Sequence, residues 1–460
     1  SAFDYYLKHF NINLLFNSEC ILNESNNQIL ENSNSFKEIT SKITNKNNSL
    51  SLQYIKRKED KEKNDFNQSN QLSIKFNPNN YKNLEYNSSV IYRSLNYIHD
   101  SILDEKSLLS NNQLKLKFWN NAISLETTYE MGRGKQAKKE KSFIKVPLGM
   151  GTHNWIDQNN NGIQELNEFV VSIFQDEAEY VTLLLPSSQL ENIYVLKYYQ
   201  NISLDYKNLS NNSFVKKFYM SNNYKFQNKN KNLKVNPFTE SNYEDIVNYL
   251  MQNTYSLQFD RHNKVFNLNF YNKKSVIQNT FSYGSEKQII SENKISCQSI
   301  IFKNNNKICF SMGVKENISS FFDDRNYSFS FNRIEENINI QLGKSNLLNF
   351  YYIHERKNVI PDNNEVISNE ISVFLKKSQK DNSNLEYNFK FININSSIIN
   401  NSILGYELMQ GLMNGVNLIW GINFNKKLKN NLQIDLQYTG RKSENSIIKH
   451  LGNMGITAFF

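Results

Sequence analysis

The feature that most constrains this chain is a recurrent alternation of apolar and polar residues with period two, which places one class on each face of an extended strand. In 431–439, Leu432, Ile434, Leu436 and Tyr438 alternate with Gln433, Asp435, Gln437 and Thr439. Phe266, Leu268 and Phe270 alternate with Asn267 and Asn269, and Tyr327, Phe329 and Phe331 with Ser328 and Ser330. Leu385, Tyr387, Phe389 and Phe391 alternate with Glu386, Asn388 and Lys390, while Val416, Leu418, Trp420, Ile422 and Phe424 form another apolar face. Weaker versions run through Leu50, Leu52 and Tyr54, then Leu72, Ile74 and Phe76, then Leu114, Leu116 and Phe118. The prolines, Pro78, Pro147, Pro186, Pro237 and Pro361, are expected to fall between strands, because proline lacks the N–H that a paired strand needs.

From about residue 190 onward the pattern predicts on the order of a dozen strands of about ten residues, the length that a tilted membrane strand requires. Four to six weaker strands are expected before them. Tight turns at Lys380–Asn384 and Lys427–Asn431 contrast with longer links around 356–366, 395–414 and 440–448, the short-then-long habit of outer-membrane barrels. The expected fold is therefore all-β, an antiparallel transmembrane β-barrel built as a meander with a loop-rich insertion. Residues 1–130 read as an N-terminal β-rich part contributing barrel strands, 131–188 as the insertion, and 189–460 as the C-terminal barrel strands.

Composition narrows the classes further. Only 39% of the 460 residues are hydrophobic, the mean hydropathy is -0.63, and no apolar run approaches the roughly 18 residues of a spanning helix. Any membrane role must use strands. Aromatic content of 13%, with 26 Tyr and 31 Phe, argues against wholesale disorder. The abundance of Asn and Lys is a bias that AT-rich coding produces, so single Asn residues carry little information. A net charge of +9 is spread along the chain apart from Lys56–Lys63 and Arg133–Lys141, which read as solvated loops, and no nucleic-acid partner is expected. Cys20, Cys297 and Cys309 show neither disulfide-framework nor zinc spacing. The chain begins at Ser1 without a leader and reads as a mature protein or a segment of a longer one.

The last strand ends Gly452-Asn453-Met454-Gly455-Ile456-Thr457-Ala458-Phe459-Phe460. Asn453, Gly455, Ala458 and Phe460 resemble the C-terminal signal by which outer-membrane barrels are recognised for assembly, with Ala458 standing where an aromatic is commoner. Two further segments, Gly151–Phe169 with Phe174-Gln175-Asp176-Glu177-Ala178, and Tyr406–Leu412 with Trp420, Tyr438-Thr439-Gly440-Arg441-Lys442, His450 and Gly452, resemble a family of uncharacterised outer-membrane β-barrel proteins of the Bacteroidetes. The resemblance spans roughly 110–460. It implies an outer-membrane location and a barrel fold, and it brings no catalytic residues.

One local constellation carries chemistry. Asp157, Asn159, Asn161, Gly162, Glu165 and Glu168 occupy positions 1, 3, 5, 6, 9 and 12 of an EF-hand-type loop, the spacing that wraps oxygens around Ca2+. Asp157, Asn159 and Asn161 would give side-chain oxygens, Ile163 its carbonyl, Glu165 a direct or water-bridged ligand, and Glu168 two oxygens. Gln164 stands where an apolar residue is usual and no second loop follows, so a single low-affinity structural Ca2+ site fits better than a paired sensor. The competing reading is an acidic Asn-Gly turn that favours water. Trp155 and Phe169 flank the loop and are expected to pack it on the scaffold.

No HExxH or GxSxG occurs, and His354 beside Glu355 is the best position for a hydrolytic site assembled across strands. The function expected is non-enzymatic: a channel, a scaffold or a component of an envelope transport or assembly machine. Its partners would be outer-membrane lipid, the barrel-assembly machinery through the C-terminal strand, and other envelope proteins. A TonB-dependent importer is a neighbouring reading without a recognisable plug. The alternatives are a secreted or surface-anchored calcium-binding β-sandwich adhesin and an outer-membrane barrel hydrolase.

Overall fold

A computed structural model describes Ala2–Ala458 except residues 7–9, 22–23, 26–27, 30–33, 62–63, 79–82, 98–103, 234, 239–244, 302–303, 344, 363, 380–382, 399–401, 429–431 and 445. The terminal aromatic Phe460, parts of the two tight turns, His9 and His99 thus lie outside the described residues. The described chain is all-β with antiparallel strands, and none of its helices is long and apolar enough to cross a membrane. It divides into two compact units.

Unit one comprises Ser1–Lys138, Ser187–Lys216 and Ser221–Asn253. Its strands are β1 (Ala2–Tyr6), β2 (Phe10–Ile21), the short pair β3 (Glu24–Ser25) and β4 (Gln28–Ile29), β5 (Asn34–Asn45), β6 (Leu50–Lys61), β7 (Asn64–Phe76), β8 (Leu84–Tyr97), β9 (Glu105–Phe118) and most of β10 (Ile123–Lys145). β1, β2 and β5 to β10 pair in succession as an antiparallel meander. Among the described residues that makes eight meander strands before residue 146, more than expected, because Asn and Lys on both faces blur the alternation there. The Asn residues are used locally. In the β5–β6 turn the Asn45 side chain accepts from Leu50 N at 3.0 Å and donates to Ser49 Oγ at 2.7 Å, while Asn48 takes a left-handed φ of 54°. Leu50, Leu52 and Tyr54 then stand opposite Phe76, Ile74 and Leu72 on one exposed face.

Unit two comprises Lys139–Pro186, Lys217–Met220 and Thr254–Phe460. After β11 (His153–Trp155) and β12 (Phe169–Val171) come β13 (Tyr180–Asp205), β14 (Phe218–Asn230) and β15 (Ile246–Phe259), of which it holds parts. The remainder is β16 (Phe266–Thr280), β17 (Ser285–Ile301), β18 (Asn304–Ser319), β19 (Tyr327–Leu342), β20 (Asn346–Ile360), β21 (Glu365–Ser378), β22 (Ser383–Ser396), helix α1 (Ile403–Met409), β23 (Gly415–Lys427), β24 (Leu432–Ser443) and β25 (Lys449–Ala458). β16 to β25 form an unbroken antiparallel meander. These strands run from 10 to 17 residues, so most exceed what a membrane crossing needs.

Three boundaries differ from expectation. Residues 131–145 continue β10 and 180–188 begin β13, so the irregular insertion is 146–179 rather than 131–188. Pro186 lies inside β13 instead of between strands. The β20–β21 link is 361–364 rather than the longer 356–366, because β20 continues to Ile360.

The wall of unit two is inverted in polarity relative to a water-soluble sheet. Tyr387, Phe389 and Phe391 face outward, Phe389 being 45% exposed, and Ile308, Phe310, Met312 and Val314 do the same on β18. The opposite face buries Ser311, Glu355, Lys357, Ser372 and Asn417. The pattern reverses near the rim where the link 397–414 lies. There Phe329, Val359, Val366, Ile392 and Ile394 point inward and pack with Leu408, Met409 and Leu412 of the α1 segment into a buried core. Phe329, expected on the same kind of apolar face as Phe389, is instead 3% exposed beneath α1. Ser402 starts that helix by accepting from Gly405 N at 2.9 Å, and left-handed Gln410 and Gly411 end it.

Candidate functional site

The candidate site is the insertion 146–179 with the inner-wall residues of unit two that hold it. Chain geometry fixes its start: a Cβ on Gly151 would lie 2.6 Å from Tyr180 N, so only glycine lets the chain pass so close to β13. The 157–168 loop then closes on its own amides. Asp157 accepts from Asn161 N at 3.1 Å and Gly162 N at 2.9 Å, Asn159 Oδ1 from Asn161 N at 3.0 Å, and Asn161 Oδ1 from Ile163 N at 2.6 Å. Asn160 and Gly162 take positive φ, which Asn and Gly tolerate best. Asn159 Nδ2 donates to Glu165 at 2.9 Å.

Glu168 anchors this loop from inside. Its side chain, 1% exposed, accepts from Trp155 Nε1 at 2.7 Å, from Gln158 N at 3.1 Å and from Glu165 N at 3.4 Å, closing a capping box with Glu165. Trp155 and Phe169 pack the loop on the scaffold: Trp155 through that bond, Phe169 by stacking on Phe143 at 4.0 Å and meeting Tyr180 edge-on at 5.0 Å. Gln164, the departure from the loop pattern, donates to the Tyr180 hydroxyl at 2.6 Å.

The six candidate ligands Asp157, Asn159, Asn161, Ile163, Glu165 and Glu168 therefore lie on one twelve-residue turn. Each carboxylate or amide oxygen that accepts a loop amide retains further lone-pair capacity. Among the described residues no three His, Cys, Asp or Glu side chains come together to hold a metal by themselves. Asn oxygens and the Ile163 carbonyl would have to complete any shell, and an all-oxygen donor set of this kind suits a hard cation such as Ca2+.

Two arginines fasten the insertion to the inner wall. Arg325, between β18 and β19, donates to the carbonyls of Asn167, at 3.0 Å, and Phe169, and lies 3.8 Å from Glu286. Arg441 on β24 donates to Asp176 at 2.8 Å and to Glu177, lies over the Phe174 ring at 4.2 Å, and shares Glu177 with Lys449 at 3.5 Å. Tyr406 of α1 accepts from Ile173 N at 3.0 Å and donates to Glu177 at 3.4 Å; burial raises its pKa, keeping it a donor. Lys357 Nζ caps α1 by donating to Leu408 O at 2.8 Å and pairs with Glu355 at 3.1 Å, while Lys315 pairs with Glu407. A cavity of about 380 Å3 remains between Phe174–Asp176 and the wall residues Gln437, Thr439 and Lys449.

Asp176 and Glu177 stand far from Tyr406 and Arg441 in the sequence. The fold brings them into one network, and Arg325 was missed because nothing in Asp323-Asp324-Arg325 marks it. Trp420, Tyr438, Gly440 and His450 also meet, on the outer face: a Cβ on Gly440 would lie 2.3 Å from the Trp420 ring, and the Tyr438 hydroxyl bonds Trp420 Nε1 at 3.3 Å and His450 Nδ1 at 2.8 Å. His354 and Glu355 do not act together, because neighbouring residues of a strand face opposite ways. His354 bonds Asn369 at 2.8 Å and Glu355 pairs inward with Lys357.

His153 sits between Thr152 and Thr182, at 2.9 and 3.2 Å, beside Phe143. Burial, then the charges of Lys141 and Arg325, lower its pKa to about 4.

No family model matches this sequence. No curated protein matches it either. Among solved structures the chain is similar to the ferric-catecholate import receptor Fiu from E. coli K12 in its open form, with a TM-score of 0.36 and 9% identity over 95% of this chain and 74% of that one.

Proposed function

We propose that this chain is an outer-membrane β-barrel protein without enzymatic activity, serving as a scaffold or a component of an envelope transport or assembly machine rather than as an open channel. The observation that carries the reading is the inverted polarity of the unit-two wall, apolar outward and polar inward. Facing water, such a surface would be a large exposed apolar patch; facing lipid, it is the favourable arrangement. The scaffold role is supported by the insertion and α1, which are fastened to the inner wall by Arg325, Arg441 and Lys357. Strand β25 would be read by the assembly machinery, and outer-membrane lipid would cover the outer face. The test is detergent dependence with gel mobility before and after heating. A chain that needs detergent and shifts on heating supports the reading; a soluble detergent-free monomer overturns it.

The 157–168 loop is proposed to hold one structural Ca2+ through Asp157, Asn159, Asn161, Ile163, Glu165 and Glu168. The ion would neutralise the loop's carboxylates and tie its ends together. For a dissociation constant near 1 mM, saturation at about 10 mM Ca2+ would stabilise the folded state by about 1.4 kcal/mol. Melting curves with Ca2+ and with chelator, for the parent and Asp157→Ala, check this. An equal melting point in both conditions contradicts it.

A further inference from the structure

We infer that the outer face of β20 to β24 is shaped for a thin bilayer and that both edges of the lipid slab can be read from its residues; this rests on the membrane reading above. On the side of the 397–414 link, the outward apolar run ends at one hydrogen-bonded row, His354–Asn369–Asn393. On the side of the short turns it ends at Asn346 and Lys377, which pair directly. Between these rows β21 presents only Ile371, Val373 and Leu375 outward.

Both edges step in the same direction along the sheet. At β22 and β23 the short-turn edge moves one outward row further, to the pair Ser383–Lys426. At β24 the opposite edge is Lys442, whose row through Leu418 and Phe391 lies one step from Asn393 toward the short turns. Parallel edges that step together are what a flat slab traces across tilted strands. Lysines on both edges, Lys377 and Lys426 on one and Lys442 on the other, suit anionic lipid headgroups at either boundary. From Asn369 to Lys377 the strand advances about 27 Å, which a tilt of about 40° reduces to about 20 Å, below the roughly 25 Å apolar band usual for outer-membrane barrels and the roughly 30 Å of a typical bilayer. On the neighbouring strands the band is interrupted by Glu336 of β19, outward opposite Ile308 and Tyr352, and by Asn306 of β18, outward opposite Ile338.

The full chain, refolded from denaturant into vesicles, tests this. The folded yield is expected to be about tenfold higher in dilauroyl than in dioleoyl phosphatidylcholine, as mismatch dictates. In dilauroyl vesicles Val373→Arg, at mid-slab, should lower the folded-to-unfolded ratio by more than about thirtyfold, and Asn393→Arg, at the edge, by less than about fivefold. Insertion that is equally good or better in the thicker lipid, or equal penalties for the two variants, overturns the slab while leaving the membrane reading intact. Failure to insert in either lipid, with a soluble parent chain, overturns the membrane reading itself.

Discussion

Two stretches of unit two have nearly the same sequence pattern and opposite fates. Tyr327, Phe329 and Phe331 on β19 alternate with serines, as Tyr387, Phe389 and Phe391 on β22 alternate with polar residues, yet Phe329 is buried inward under α1 while Phe389 faces out. Period two fixes that a strand has two faces; it does not say which one meets the interior. The interior of the β22 wall is filled by paired polar groups such as Lys390 with Glu370 at 3.1 Å. Beneath α1 it is filled by apolar side chains of the sort that stabilise a water-soluble core. The insertion and α1 thus sit on the wall as a small soluble-type module, held by inward arginines and one apolar cluster.

That contrast can be broken in measured steps. The largest effect is expected for Phe329→Ala, which leaves a cavity under α1 and should cost about 3–5 kcal/mol in detergent-phase unfolding. Arg441→Met should cost less, about 1.5–3 kcal/mol, since it removes the charged partner of the half-buried Asp176 while Lys449 and Tyr406 still hold Glu177. Protease sensitivity of 146–179 separates loosening of the module from loss of the wall. Phe389→Ala, of the same chemistry on the outward face, should cost only about 1 kcal/mol. Equal losses at Phe329 and Phe389 would erase the contrast.

Acid should loosen the module more gently. His153 has its folded pKa depressed to about 4 against an ordinary 6.5. Between those values the unfolded segment binds the extra proton, so the contribution of neutral His153 is fully present above about 6.5 and is lost as pH falls toward 4. Proteolysis of the insertion should rise over that window in the parent and less in His153→Gln. A flat pH profile in the parent would remove His153 from the account.

Much of the wall was legible in the sequence, because strand alternation is written residue by residue, and Pro78, Pro147, Pro237 and Pro361 do fall between strands. The closed form of the 157–168 loop was legible too, as its Asx residues and Gly162 fix the turn locally. What sequence could not supply was sidedness and assembly. Nothing local marks Phe329 as inward, since the helix that covers it lies some 75 residues on. Arg325 and Arg441 acquire their roles only when the insertion folds back across more than 150 intervening residues. Pro186 was misplaced for the same reason, a proline in β13 being tolerated according to strand pairing that composition does not record.

The central claim, that the outward face meets lipid and the inward face does not, is tested most directly by spin labels at 388 and 389. They would be introduced by Asn388→Cys and Phe389→Cys in a chain with Cys20, Cys297 and Cys309 changed to Ser, reconstituted in dilauroyl phosphatidylcholine. The account predicts that the 389 label collides freely with oxygen and is shielded from a water-soluble nickel chelate, and that the 388 label shows no such preference for oxygen. A 389 label as open to the nickel chelate as one on an exposed loop would contradict it.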